Sequence, residues 1–284
     1  MGARNVSGDG LSRDAEELKR KARPWVATLA RAGYAAKGVV YGIIGAVSAV
    51  AAYKGGGHTA DSRGALTEIL TRPFGSFLLG VVAAGLAGYA VWRVVQAILD
   101  TEDKGRKLKG VAIRVGYACI GFVYFGLAYS AVQLILGNGA GSSSDEKSRA
   151  WTATVMSYPL GGLLVGLVGL GVIGFGLYQC YKAYKAKFRK KLLHGELSEG
   201  WDTLLTRAGQ FGLAARGVVF GIIGYFLIRA ALMARAGEAR GLGGALHALE
   251  ERPSGPLLLG VVALGLIAYA LHMLLIARYR RIDV

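Results

Sequence analysis

"ALTEILTRPFGSFLLGVVAAGLAGYAVWRVVQA", residues 65–97, is answered without a gap by "ALHALEERPSGPLLLGVVALGLIAYALHMLLIA", residues 245–277. The shared skeleton is Arg72-Pro73-x-Gly75 with Arg252-Pro253-x-Gly255, then Leu79-Gly80-Val81-Val82 with Leu259-Gly260-Val261-Val262. Gly85, Leu86 and Tyr89 continue it, paired with Gly265, Leu266 and Tyr269. Each copy is a Pro-Gly turn followed by an apolar run of about 20 residues, enough helix to cross a hydrocarbon core of roughly 30 Å. One stretch thus reads both as a membrane span and as a repeat unit.

Working outward, a weaker middle copy keeps the register: Pro159-Leu160-Gly161, then Gly166, Gly171 and Phe175. The preceding segments repeat as well. "RAGYAAKGVVYG" (31–42) aligns with "RVGYACIGFVYF" (114–125), and "GLAARGVVFG" (212–221) is the third version, after three extra residues. Six apolar runs result, at about 34–53, 74–98, 115–136, 159–181, 212–233 and 256–277. Backbone polar groups must be paired inside lipid, so each run is expected to be a helix. The fold class is all-α integral membrane, six transmembrane helices in three tandem hairpin repeats. All three hairpins enter from one face, so a pseudo-threefold bundle is the simplest arrangement. The expected divisions are a basic amphipathic segment at 1–24, then repeats at 25–100, 101–185 and 186–284. In the first segment "LSRDAEELKRKARPW" (11–25) reads as a surface helix ended by Pro24. Leu242, Ala245, Leu246 and Leu249 predict a short outer helix in the third repeat. The middle repeat has "NGAGSSSDEKS" (138–148) there, a flexible polar loop by composition.

The net charge of +16 and the mean hydropathy of +0.41 could suggest a nucleic-acid partner, but the placement of charge argues otherwise. Of 34 Lys and Arg, 22 lie in the two terminal segments and in the loops 99–114 and 182–210, against 8 in the alternate loops. That asymmetry puts both termini in the cytoplasm, and the same basic face would attract anionic lipid headgroups. No nucleic-acid binding is expected. Cys119 and Cys180 form no metal spacing and read as unpaired, buried thiols. Trp25, Trp92, Trp151 and Trp201 read as interfacial anchors.

At this point the chain resembles a family of bacterial membrane proteins known as "domain of unknown function 1206", built of tandem two-helix repeats. The family motifs are similar to "ARxGYxAxGVVY" and "PFGxxLLxxVAxGLxGYxxWRxxQA", and Ala30 to Ala97 match them closely, including Trp92-Arg93-Val94-Val95-Gln96-Ala97. The later repeats depart at that last motif, with "LYQCYKA" (177–183) and "LHMLLIA" (271–277). The resemblance covers nearly everything after residue 24. It implies a bacterial inner or plasma membrane and a three-repeat fold, and it implies no activity.

The chemistry is read mostly from what is missing. All 18 Asp and Glu lie outside the apolar runs, with Asp100 at an edge, which argues against ion-coupled transport and against paired-carboxylate catalysis. The four histidines, His58, His194, His247 and His272, show no ligand spacing, so no metal and no cofactor is expected. A G-x-G-x-x-G string at Gly169, Gly171 and Gly174 lies within a span and has no strand before it; close helix packing is the better reading. The protein is read as not an enzyme.

The cations remain. Lys37, Arg93 and Arg216 sit within the spans near the inner edge, with Gln96, Gln179 and His272 at a similar depth. One account is snorkelling, with long stems in lipid and charged heads at the headgroups. The other is a cytoplasm-facing cationic pocket between repeats that holds an anionic lipid headgroup or a small anion. The middle repeat has Ile120 and Gln179 where the first has Lys37 and Arg93, which fits an asymmetric pocket. Tyr41, Tyr124 and Phe220 share one repeat position about a turn deeper, where they would pack the bundle axis or line a cavity. The function expected is binding of anionic lipid or a partner membrane protein; the alternative is a passive channel or transporter for a small anionic or neutral solute.

Overall fold

A computed structural model describes residues 7–55, 59–99, 105, 108–138, 143–185 and 199–279, with side chains from Thr28 onward apart from those at 108–109, 144, 199–202 and 204–205. Among these residues there are nine α-helices: α1 (Ser7–Tyr53), α2 (Ser62–Leu70), α3 (Gly75–Leu99), α4 (Leu108–Ile135), α5 (Ser144–Met156), α6 (Gly161–Tyr184), α7 (Glu199–Leu232), α8 (Leu242–Glu250) and α9 (Gly255–Tyr279). Six of them carry segments long and apolar enough to cross a membrane: Thr28–Tyr53, Gly75–Leu99, Gly110–Ile135, Gly161–Tyr184, Thr206–Leu232 and Gly255–Tyr279. These match the six apolar runs. The protein is a multi-pass membrane protein.

The turn before each returning helix is built the same way three times. A Cβ on Gly75, Gly161 or Gly255 would collide with the backbone carbonyl of Leu70, Val155 or Glu250 respectively. Only glycine lets the chain fold back this tightly onto the short helix it has just left.

Two expectations about helix ends are corrected. Pro24 does not end a surface helix, because α1 runs through it from Ser7 to Tyr53. A proline removes one rung of the hydrogen-bond ladder, and good helix formers on both sides, "AEELKRKA" (15–22) before it and Ala27, Leu29 and Ala30 after it, carry the helix across the gap. The middle repeat is also not a loop throughout 138–148, since α5 starts at Ser144; residues 139–142 lie outside the described set. Ser143 accepts from the Glu146 amide while the Glu146 carboxylate accepts from the Ser143 amide, a reciprocal capping box.

The short helices lie together at one end of the long ones, and the start of α1 and the end of α9 lie at the other. Ala245 and Leu246 of α8 are fully buried, so its apolar face packs into the protein. The Asp145 carboxylate, from the middle repeat, accepts from the Gly241 and Gly244 amides at 2.6 and 3.1 Å and caps α8. Thr59 donates to the Gly243 carbonyl at 3.4 Å, which ties the first repeat to the same point.

Among the long helices, α4 packs on α3, α3 on α1, α1 on α9, α9 on α7 and α7 on α6. Small residues set the close approaches: Gly85 meets Ala36, Gly38 meets Ala270 and Leu274, and Gly217 meets Gly176 and Cys180. The outer hairpins, α1 with α3 and α7 with α9, pack on themselves. The middle hairpin does not, and α4 and α6 do not pack along each other.

Candidate functional site

Three aromatic pairs form where a returning helix meets the outgoing helix of the next repeat. Tyr89 of α3 stacks edge-on against Tyr124 of α4 (4.7 Å between centroids), Phe175 of α6 against Phe220 of α7 (5.1 Å), and Tyr269 of α9 against Tyr41 of α1 (5.0 Å). Tyr34 adds a contact to Tyr89 at 5.3 Å. Tyr41 and Tyr124 are buried and Phe220 is half-buried. Close packing makes this possible, since a Cβ on Gly33 or Gly212 would strike Tyr89 or Tyr269.

The two tyrosine pairs hold the cations. Arg93 donates through Nε and Nη2 to the Tyr89 hydroxyl, at 2.8 and 2.6 Å, and through Nη1 to Gln96 Oε1 at 2.9 Å. Its guanidinium lies 5.0 and 5.1 Å from the Tyr89 and Tyr117 rings. Arg216 donates through Nε to Tyr41 (3.2 Å) and through Nη1 to Tyr269 (2.9 Å), with the Phe220 ring 4.9 Å away. Lys37 sits between them. Its Nζ lies 5.1 to 6.0 Å from the rings of Tyr41, Tyr89, Tyr124 and Tyr269, 3.4 Å from the Tyr89 hydroxyl, and the residue is 4% exposed. The pair formed by Phe175 and Phe220 has no hydroxyl, and Ile120 stands in the middle repeat at the Lys37 position.

For Lys37 this geometry differs from snorkelling. A snorkelling lysine keeps its amine in contact with headgroups and water. Lys37 instead points into an aromatic cage shared with two guanidinium groups. The rings supply cation–π attraction of about 0.5–2 kcal/mol each. The setting costs about 2.5–3.5 kcal/mol for a charge taken into the membrane interior, with like-charge repulsion added. Every described carboxylate side chain (Asp61, Glu68, Asp145, Glu146, Glu238, Glu250 and Glu251) lies at the short-helix end, in or beside α2, α5, α8 and the turn before α8. None of them offsets the cluster.

The remaining sequence-derived candidates are also buried: Gln96 at 1%, Gln179 at 4% and His272 at 3% exposure. Gln96 orients Arg93. Gln179, at the Arg93 position of the middle repeat, has an Nε2 without a hydrogen-bond acceptor, as has Trp92 Nε1. Trp92 is therefore buried among helices and is no interfacial anchor. Trp151 is exposed, and the side chains of Trp25 and Trp201 lie outside the described set. Cys119 and Cys180 are unpaired, but Cys119 is exposed, since the partner face that would cover it is missing.

Residue types and repeat register single out Lys37, Arg93 and Arg216, with Gln96, Tyr41, Tyr124 and Phe220 beside them, but not Tyr89 and Tyr269. Tyr89 and Tyr269 stand out in the sequence only as repeat markers. Lys182 counts there as a loop charge, although it occupies the Gln96 position of the middle repeat and its charge acts on Lys37 and His272. Comparing polar residues column by column across the three repeats would have found all three. Chemically, the cluster offers positive charge and N–H donors, so it suits an anion.

A family model described as "Domain of Unknown Function (DUF1206)" matches the chain three times, at residues 32–100, 115–186 and 211–280. A protein of Bacillus subtilis (strain 168), described as "Uncharacterized protein YxxB", is 35% identical over 264 residues, covering 93% of this chain and 94% of the relative. No solved structure matches.

Proposed function

The chain belongs to the family described as Domain of Unknown Function (DUF1206), and we propose that it is a non-enzymatic membrane protein that holds an anionic group between its helices. The single observation behind this reading is the meeting of buried Lys37 with half-buried Arg93 and Arg216, away from every described carboxylate. Cations gathered in an apolar interior are best stabilised by a counter-charge brought from outside. The aromatic pairs packed against the cations favour a binding site over an open pore.

In this reading the protein lies in a bacterial plasma membrane with both termini cytoplasmic, and the anionic group comes from the cytoplasmic side. The charge asymmetry of the loops supports that orientation. The three equivalent aromatic pairs support a pseudo-threefold bundle whose middle hairpin is sprung apart.

The test is thermal unfolding of the purified protein titrated with inorganic phosphate at low ionic strength. Wild type is stabilised in proportion to the logarithm of phosphate concentration once the site is saturated. The Arg93→Gln/Arg216→Gln variant, which can still hydrogen-bond the tyrosines, is not. An equal phosphate response in both proteins would refute the reading.

A further inference from the structure

The middle hairpin exposes a surface that its sister repeats bury. Val40 and Val82, which face each other's helices in repeat one, are 2% and 8% exposed; Val219 and Val262 in repeat three are 1% and 7%. The residues in the same register of repeat two are also valines, yet Val123 of α4 is 68% exposed and Val168 of α6 is 57%. The glycines agree. Gly85 and Gly265 are jammed against Ala36 and Ala215, whereas a Cβ on Gly171 or on Gly116 would meet nothing within 4 Å. Residue type does not explain this difference. A cleft therefore runs between α4 and α6, walled by valine and small residues.

At its inner end the cleft reaches the cations. Arg93 stacks on Tyr117 of α4, and Arg216 stacks on Phe220, which packs on Phe175 of α6. Both guanidinium residues are only half-buried. Gln179, one turn from Phe175 on the same helix face, is 4% exposed and carries the amide nitrogen that lacks an acceptor. An N–H donor in such a place needs an oxygen, and one turn from the ring that packs on the Arg216-stacked Phe220 an anionic oxygen is the best match. The depth is also suitable. Arg93 stands six residues before the end of α3 at Leu99, about 9 Å along the axis.

We propose that this cleft seats an anionic phospholipid, its phosphate on Arg93, Arg216 and Gln179 and its acyl chains between α4 and α6. The proposal rests on the anion-binding reading and adds the ligand class and its route, laterally from the bilayer. Charge complementarity selects the occupant, because a second copy of the chain or a partner helix filling an apolar cleft would leave the three cations uncompensated.

The experiment is native mass spectrometry of the full chain released from mixed micelles holding equal phosphatidylglycerol and phosphatidylcholine, run beside the phosphate titration. Wild type should retain one phosphatidylglycerol per chain, preferred over phosphatidylcholine by at least about tenfold. Val123→Phe/Val168→Phe, and separately Gly171→Leu, fill the cleft from exposed positions. They should cut lipid retention at least about fivefold and leave the phosphate response intact. Arg93→Gln/Arg216→Gln should lose both. Undiminished retention in the cleft-filling variants, or no retained lipid in a wild type that still responds to phosphate, overturns the lipid seat and spares the anion site. Wild-type dimers that become monomers in the cleft-filling variants would assign the cleft to a second copy, which also overturns it. If neither ligand depends on the arginines, the anion site itself falls.

Discussion

Replacing Lys37 with methionine should make the anion-free protein more stable, although it removes a residue that touches four aromatic rings. Lys37 and Arg216 share the Tyr269 ring at 5.5 and 4.9 Å, and Lys37 and Arg93 share the Tyr89 ring at 5.1 and 5.0 Å. Laid end to end, those distances keep each pair of charges within about 10 Å, where the repulsion at an effective dielectric of 20 is at least about 1.7 kcal/mol per pair. Removing the charge relieves both pairs, about 3 kcal/mol, and a further 2.5–3.5 kcal/mol of burial cost. Against this stand four cation–π contacts, at about 1 kcal/mol each for separations of 5.1 to 6.0 Å, part of which the methionine sulfur recovers against the same rings. The balance favours Lys37→Met by about 2 kcal/mol, or about 4–8 °C in melting temperature for a chain of this size. Scanning fluorimetry in low-salt, phosphate-free buffer measures it. Added phosphate should then narrow the gap, because wild type gains about 2.7 kcal/mol at a hundredfold excess over the dissociation constant and the variant, one charge poorer, gains less. A Lys37→Met protein that melts lower than wild type without phosphate, with an unchanged phosphate response, would refute the reasoning and make Lys37 a structural cation held by its rings.

Other consequences follow from the same packing. Gly33→Ala would place a Cβ 2.7 Å from Tyr89 Cα and should cost about 1–3 kcal/mol, whereas Gly116→Ala in the middle repeat should gain about 0.5–1 kcal/mol; paired melting curves decide. Asp145→Ala removes the cap on α8 and should cost about 1 kcal/mol, seen as faster hydrogen exchange at the Gly241 and Gly244 amides and not in α2. A fluorescent reporter fused after Val284 should be active, as expected for a cytoplasmic end, and alkaline phosphatase inserted near Ser143 should be active on the opposite side; the reverse pattern would refute the assigned topology.

The two corrected helix boundaries show where reading by composition fails. Around Ser143 the glycine and serine content suggested a loop, yet Ser143 and Glu146 are spaced as a capping box and start α5. At Pro24 a general stop signal yielded to the helix formers on either side. At Ser143 the local capping arrangement outweighs the average of the window, and at Pro24 the window outweighs a single local stop signal. Cys119 and Trp92 failed for a different reason: their burial depends on which helix comes alongside, and no local pattern reports that.

Six spans, three repeats and the presence of cations within them were legible from residues alone. Transfer free energy accumulates along a chain whatever its neighbours do, and a 20-residue apolar run has only a helix to adopt in lipid. Whether Lys37, Arg93 and Arg216 meet one another or meet lipid was not legible. That depends on the rotation of each helix about its own axis and on the glycines that let Tyr89 and Tyr269 approach from neighbouring helices. The open middle hairpin lay further still from the sequence. Val40, Val123 and Val219 are the same residue in the same register, and only the packing of α4 and α6 leaves one of them uncovered.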